Sequence, residues 1–150
     1  MASLYHAHGV RFWVPDDWTL SEQDVGHHVS INVQSPETSF WSLTLFFDRP
    51  EPRRVAEAVL QAFREEYDEI DVYPGECGVG GHEAVAHDIE FFCWELLNSA
   101  FLRVFQTQRF TALVLFQGTD TELRETRPLL DRISESLRWD DPENADDPLA

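Results

Sequence analysis

His6 and His8 are spaced to share one face of a β-strand, and two imidazoles so placed can begin a transition-metal site. The adjacent pair His27-His28 would have to supply a third ligand, and no spacing in the chain specifies one. The plainer reading is a pair of exposed histidines near a terminus, so His6 and His8 stand as candidates and no metal or other cofactor is expected. His87-Asp88 invites comparison with a Ser-His-Asp triad. Neighbouring strand residues point to opposite faces, however, and the chain has no Gly-x-Ser-x-Gly. Gly75–Gly81 (GECGVGG) matches a phosphate loop only in its glycines. It lacks lysine, and a strand follows it, so no helix N-terminus would meet an anion and a turn is expected.

Every one of the 11 basic residues is arginine. Without lysine there is no Schiff base, no pyridoxal anchor, no P-loop lysine and no Ser-Lys dyad. Cys77 and Cys93 make no Cys-x-x-Cys and read as isolated small hydrophobes in or near strands. The chemistry left is recognition. Of the five tryptophans, Trp13 lies on the parity opposite Phe12 and Val14, and Trp94 ends a strand, so these two are the expected exposed aromatics. Exposed aromatics beside a charged rim mark protein-contact surfaces. Arg103 is a third candidate, a cation on an otherwise apolar strand face. It is expected to form a structural bridge with Glu90 ahead of Asp88, or to lie on a face open to water that could itself bind.

These residues need a frame, and Phe110–Gln117 (FTALVLFQ) organises it. It is apolar on both parities, which predicts an interior strand covered on both faces, with Leu113, Leu115, Val114 and Phe116 all buried. Ala100–Thr107 leads into it through Gln108-Arg109, predicting a tight hairpin. In that register Phe101, Arg103 and Phe105 oppose Phe116, Val114 and Ala112. Further strands are predicted at about residues 9–14, at Val29–Gln34 and at Phe40–Phe47, the last with Trp41, Leu43, Leu45 and Phe47 on its apolar face. A turn at Pro15–Asp17 should tuck Trp18 against the core.

A helix follows Pro50-Glu51-Pro52 as far as about Tyr67, its stripe formed by Val55, Ala56, Val59, Leu60, Phe63 and Tyr67. A strand over Ile70–Val79 and its return over His82–Trp94 flank Gly80-Gly81, and Glu95–Ser99 connects onward. The last helix opens at Thr119, with Glu122 completing a capping box, and buries Leu123, Leu130, Ile133 and Leu137. Pro128 should kink it, or break it near Arg127.

The chain has 150 residues, 28 acids against 11 bases, and a formal net charge of −17. This length fits one domain, here residues 1–139, followed by a poorly ordered acidic tail at 140–150 that contributes five of the acids. So negative a surface excludes nucleic acid and anionic membrane as partners. No apolar leader or membrane-length run occurs in the sequence, which predicts a soluble, cytoplasmic protein.

Four phrases carry a family resemblance: GVRFWVPDDW, VSINVQSP, Gly81–Ala84 leading a long strand, and ISESLRW closing the last helix. With the order of elements they resemble the PsbP-like superfamily over about residues 5–139. That group includes an extrinsic photosystem II protein, a Ran-binding nuclear-import factor and many small bacterial proteins of unknown role. The resemblance implies an α/β (α+β) sandwich, a central antiparallel sheet flanked by helices. It implies neither photosynthesis nor Ran binding, because the partner-binding residues have no clear match. The expected function is a non-enzymatic protein-binding or adaptor module, acting on a protein partner or on itself. The alternatives are a binder of a small apolar ligand and a hydrolase with an unrecognised site.

Overall fold

The computed structural model describes residues 3–76 and 78–140. Its elements, in order, are β1 (Ser3–Ala7), β2 (Val10–Val14), β3 (Thr19–Asp24), β4 (His28–Gln34), β5 (Phe40–Phe46), α1 (Pro52–Glu66), β6 (Ile70–Pro74), β7 (Val85–Cys93), β8 (Leu96–Gln106), β9 (Thr111–Thr119), α2 (Asp120–Ser136) and β10 (Arg138–Trp139). Seven strands form one antiparallel sheet in the order β3-β4-β5-β9-β8-β7-β6. A second, three-stranded sheet, β1-β2-β10, packs over one face of it beside α2, and α1 covers part of the other face. All of the expected tail at 140–150 except Asp140 lies outside the described residues, as does Cys77.

The central strand is β9, fourth of the seven, paired with β5 and β8. The β8–β9 register is the expected one: Phe101 opposes Phe116, Arg103 opposes Val114 and Phe105 opposes Ala112. No Gly or Asn makes this turn. Instead the Thr107 hydroxyl accepts from the N–H groups of Arg109 and Phe110, while the Thr107 N–H donates to the Phe110 carbonyl at 2.9 Å. A side-chain oxygen here does what a backbone preference does in commoner hairpins.

Two apolar clusters follow from the two parities. Phe12, Ile31, Trp41, Leu43, Leu45, Phe105, Val114, Leu130 and Ile133 fill the space under the small sheet and α2. Ala56, Leu60, Ile89, Phe91, Leu102 and Val104 lie under α1, with Val55, Val59, Phe63 and Tyr67 at the margin. The helix stripe read from the sequence is therefore the one that packs. Only half of the burial expected for β9 occurs: Val114 and Phe116 are buried, whereas Leu113 and Leu115 are half-buried. The cause is that α1 packs over β7, β8 and β9 and leaves the sheet beyond them uncovered on that side.

Other departures are local. β1 and β3 had no sequence signal, because β3 (TLSEQD) is an exposed edge strand with no apolar alternation. Phe47 lies past the end of β5 and is exposed, not on the apolar face. β6 ends at Pro74, short of the expected Val79; only an isolated bridge, Val79 to His82, closes around Gly80 and Gly81, both at positive φ. α2 is unbroken through Pro128.

The α2 N-terminus is held as the capping box requires, with the Thr119 hydroxyl accepting from the Glu122 N–H at 3.2 Å. The Glu122 carboxylate reaches further than its own cap. It accepts from the N–H and hydroxyl groups of both Thr38 and Ser39 and from the Thr119 hydroxyl. Burial pushes its pKa up, but these donors outweigh that and hold the carboxyl below its ordinary value. One side chain thus fastens the β4–β5 loop to the start of α2.

Candidate functional site at the Trp94 hairpin

β7 and β8 are joined by Trp94 and Glu95 alone, with Cys93 paired to Leu96, and both turn residues have positive φ, 54° and 65°. The connection is tighter than the expected Glu95–Ser99. Two positive φ values in a row are the pattern of a type I′ turn, which normally recruits Asn-Gly. A bulky aromatic in the left-handed region costs about 1–2 kcal/mol, and such backbone tends to persist where function holds it. Trp94 gains almost nothing from packing, since it is 92 % exposed.

Its neighbours continue the exposure. Phe92 is 66 % exposed and Leu96 55 %. Phe92 lies on the α2 side of the sheet, beyond the reach of the helix, and Leu96 lies on the α1 side, so the tip is apolar on both faces. Beside it is a depression of ≈ 610 Å3 lined by Glu66, Tyr67, Asp68, Glu69, Phe92, Cys93 and Trp94. Glu66 at the end of α1 and Asp68 and Glu69 just beyond it supply the three carboxylates, and the helix C-terminus adds its own partial negative charge. Trp94 was legible in the sequence as an exposed aromatic, whereas Phe92 and Leu96 were not. The signal they leave is in Phe91–Leu97 (FFCWELL), an apolar run that outlasts the covering helix.

The other two candidate side chains are engaged. Trp13 is half-buried, its ring covered by the Arg132 guanidinium at 4.2 Å, while its backbone N–H donates to the Ser136 hydroxyl at 2.9 Å. Arg103 is only 5 % exposed and makes the expected bridge, but with Asp88 rather than Glu90, Nη1 to Oδ1 at 2.9 Å. The tight turn explains the correction. Pairing Cys93 with Leu96 puts Ala86 opposite Arg103, so Asp88 is its diagonal neighbour and Glu90 is one step too far. Nη1 also donates to the carbonyls of Leu102 and His87, at 2.9 and 3.3 Å. The pair needs Gly75 beside it, where a Cβ would stand 2.7 Å from both Arg103 Nη1 and Asp88 Oδ1.

The histidines are not brought together as a metal site. His8 is not in a strand but in the β1–β2 turn, at φ 57°, so it does not share a face with His6, and it lies 3.8 Å from Glu22. His27 and His28 stack edge to face at 4.8 Å on the other sheet. Among the described residues no group of three His, Cys, Asp or Glu side chains is placed to hold a metal ion. His87 opposes Leu102 under α1 while Asp88 faces the other way to Arg103, so the two do not form a catalytic pair. A groove of ≈ 640 Å3 between the start of α1 and β7–β8 holds His82 and His87, but it is also lined by Arg53, Glu57 and Glu83.

No family model matches the sequence, and no curated protein matches it. Solved structures do. The solution structure of cyanobacterial PsbP (CyanoP) from Synechocystis superposes with a TM-score of 0.57 at 10 % identity, over 93 % of this chain and 92 % of that one. The fold is PsbP-like. A Pseudomonas aeruginosa protein of unknown function, suggested to be a regulator, shares this PsbP-like fold with a TM-score of 0.55 and 14 % identity, over 93 % and 97 % of the two chains. A Bacteroides thetaiotaomicron protein gives 0.58 at 13 % identity. There the match covers 95 % of this chain but 49 % of the other, so the chain spans about half the length of that relative. At these identities the PsbP-like match speaks for the fold alone. Among the described residues no helix is long and apolar enough to cross a membrane.

Proposed function

We propose that this protein is a non-enzymatic protein-binding module whose contact surface is the β7–β8 hairpin tip. The observation that carries the reading is Trp94, 92 % exposed in a backbone conformation that disfavours it, with Phe92 and Leu96 beside it. Tryptophan is the residue type most enriched at interface hot spots, and a side chain with no internal packing has little other reason for its strain. The acids of the adjoining depression select among partners. An apolar segment flanked by Arg or Lys fits, because a cation can lie over an aromatic face and pair with Glu66, Asp68 or Glu69. The half-buried free thiol of Cys93 in the same depression fits a reducing compartment such as the cytoplasm.

The small-ligand reading rests on the groove near His82, and the charges on its walls make it a poor host for an apolar molecule. The hydrolase reading rested on His87 and Asp88, and these face opposite sides of the sheet. The test is cross-linking of the purified protein in its native lysate, followed by identification of what is captured. Trp94→Ala should abolish capture of the main partner with the melting temperature unchanged, and charge reversal by Glu69→Arg should weaken it. Equal capture by the wild type and Trp94→Ala would rule the tip out as the contact surface.

A further inference from the structure

The α1-side face of the large sheet is covered over β7, β8 and β9 and open over β3, β4 and β5. The strand registers fix which residues lie on that open half. β3 presents Thr19, Ser21 and Gln23, and β4 presents His28, Ser30, Asn32 and Gln34. β5 adds Phe40, Ser42, Thr44 and Phe46, and half-buried Leu113, Leu115 and Gln117 continue it onto β9. No carboxylate or guanidinium is borne by these positions, in a chain whose residues are 26 % charged and whose net charge is −17. The charges of β3 itself, Glu22 and Asp24, fall on the opposite parity, where Glu22 accepts from the Tyr5 hydroxyl. This face is without charged side chains and made largely of hydroxyls and carboxamides, with phenylalanines at the two ends of β5.

We propose that a second copy of this chain covers it, sheet face to sheet face about a twofold axis. Charge decides the occupant. Two molecules of −17 repel wherever charged surfaces meet, so self-association is confined to a region without charge, and this half-face is such a region. Its chemistry is also self-complementary. Serine, threonine, asparagine and glutamine side chains each donate and accept, so a surface of them can satisfy its own rotated copy, which a patch of one donor type cannot. A basic partner would gain nothing from this face and would go to the acidic depression at Trp94. The footprint, four strands about 4.8 Å apart and about 20 Å long, is roughly 400 Å2 in projection. Counted on both copies that is about 800 Å2, below the standard interface size and in the range of weak, transient contacts, which fits a reversible dimer of micromolar affinity.

Sedimentation equilibrium over about 1–500 μM, spanning that affinity, tests it. The 150-residue chain should pass from its 17.4 kDa monomer to twice that mass within the range. Asn32→Asp, at the middle of β4, places two like charges across the axis and should weaken association by at least about tenfold. Ala58→Glu, on the exposed side of α1, adds the same charge elsewhere and should leave association within about twofold of wild type. Unchanged circular dichroism spectra and melting temperatures in both variants would separate loss of the dimer from loss of fold. A monomer at every concentration would overturn the proposal. So would a dimer indifferent to Asn32→Asp, or one abolished by Trp94→Ala, which would put the interface at the hairpin tip instead.

Discussion

Breaking the Arg103–Asp88 pair from its two ends should have unequal consequences. The Arg103 side chain is 6 % exposed and the Asp88 side chain 31 %, so removing the acid strands the more deeply buried charge. Asp88→Ala should cost roughly 2–3 kcal/mol in urea unfolding, because the two carbonyl acceptors soften the loss. Arg103→Met should cost clearly less, since it removes the buried charge together with its need for a partner. Equal losses would mean that the carbonyls alone suffice. Glu122 gives the pH counterpart. Its folded pKa lies below the ordinary 4.5, so its contribution to stability is full above about pH 4.5 and is lost as pH falls through the lower, folded value. Glu122→Gln should therefore lower the urea midpoint at pH 7, by about 1 kcal/mol in stability, and the gap to wild type should narrow as pH falls below 4.5 and through the lower, folded value. A gap that stays as wide throughout the acid range as at pH 7 would show that the ionised form is not what fastens the loop. That Arg103 needed an acid was legible from its parity among apolar neighbours. Which acid was not legible, because the choice rests on a turn whose length the sequence disguises.

The β7–β8 hairpin is that turn. Apolar parity located its strands, the helix stripes and the β8–β9 register, because burial on a known period leaves a visible pattern. Trp-Glu at the tip violates the chemistry from which turns are read, and β1 and β3 have no buried parity to display. If function maintains this tip against its backbone cost, relieving the strain should trade binding for stability. Trp94→Asn with Glu95→Gly restores the sequence a type I′ turn prefers and should stabilise the fold by about 1–2 kcal/mol. The melting temperature should rise by about 2–4 °C for each kcal/mol, while capture of the partner is lost. A double variant no more stable than wild type would mean that Trp94 is better accommodated than its φ suggests.

Across the whole molecule, charge and cover are distributed unequally over one sheet. One face is closed by α2 and the small sheet, the other is closed by α1 over three strands, and acids gather where α1 ends. None of this was legible from the net charge, which fixes a total and not a layout. The same layout makes the protein its own spectroscopic probe. Trp41 and Trp139 are buried, Trp13 and Trp18 half-buried, and only Trp94 stands in water, so the red edge of the emission spectrum belongs chiefly to that one indole. Around it stand Glu66, Asp68, Glu69 and Glu95. Caesium ions should therefore quench that red-edge emission more efficiently than iodide at low ionic strength, and added neutral salt should bring the two quenchers together. A ligand seated on the tip would shift the emission to the blue and shield it from both ions, so occupancy could be followed without attaching a label.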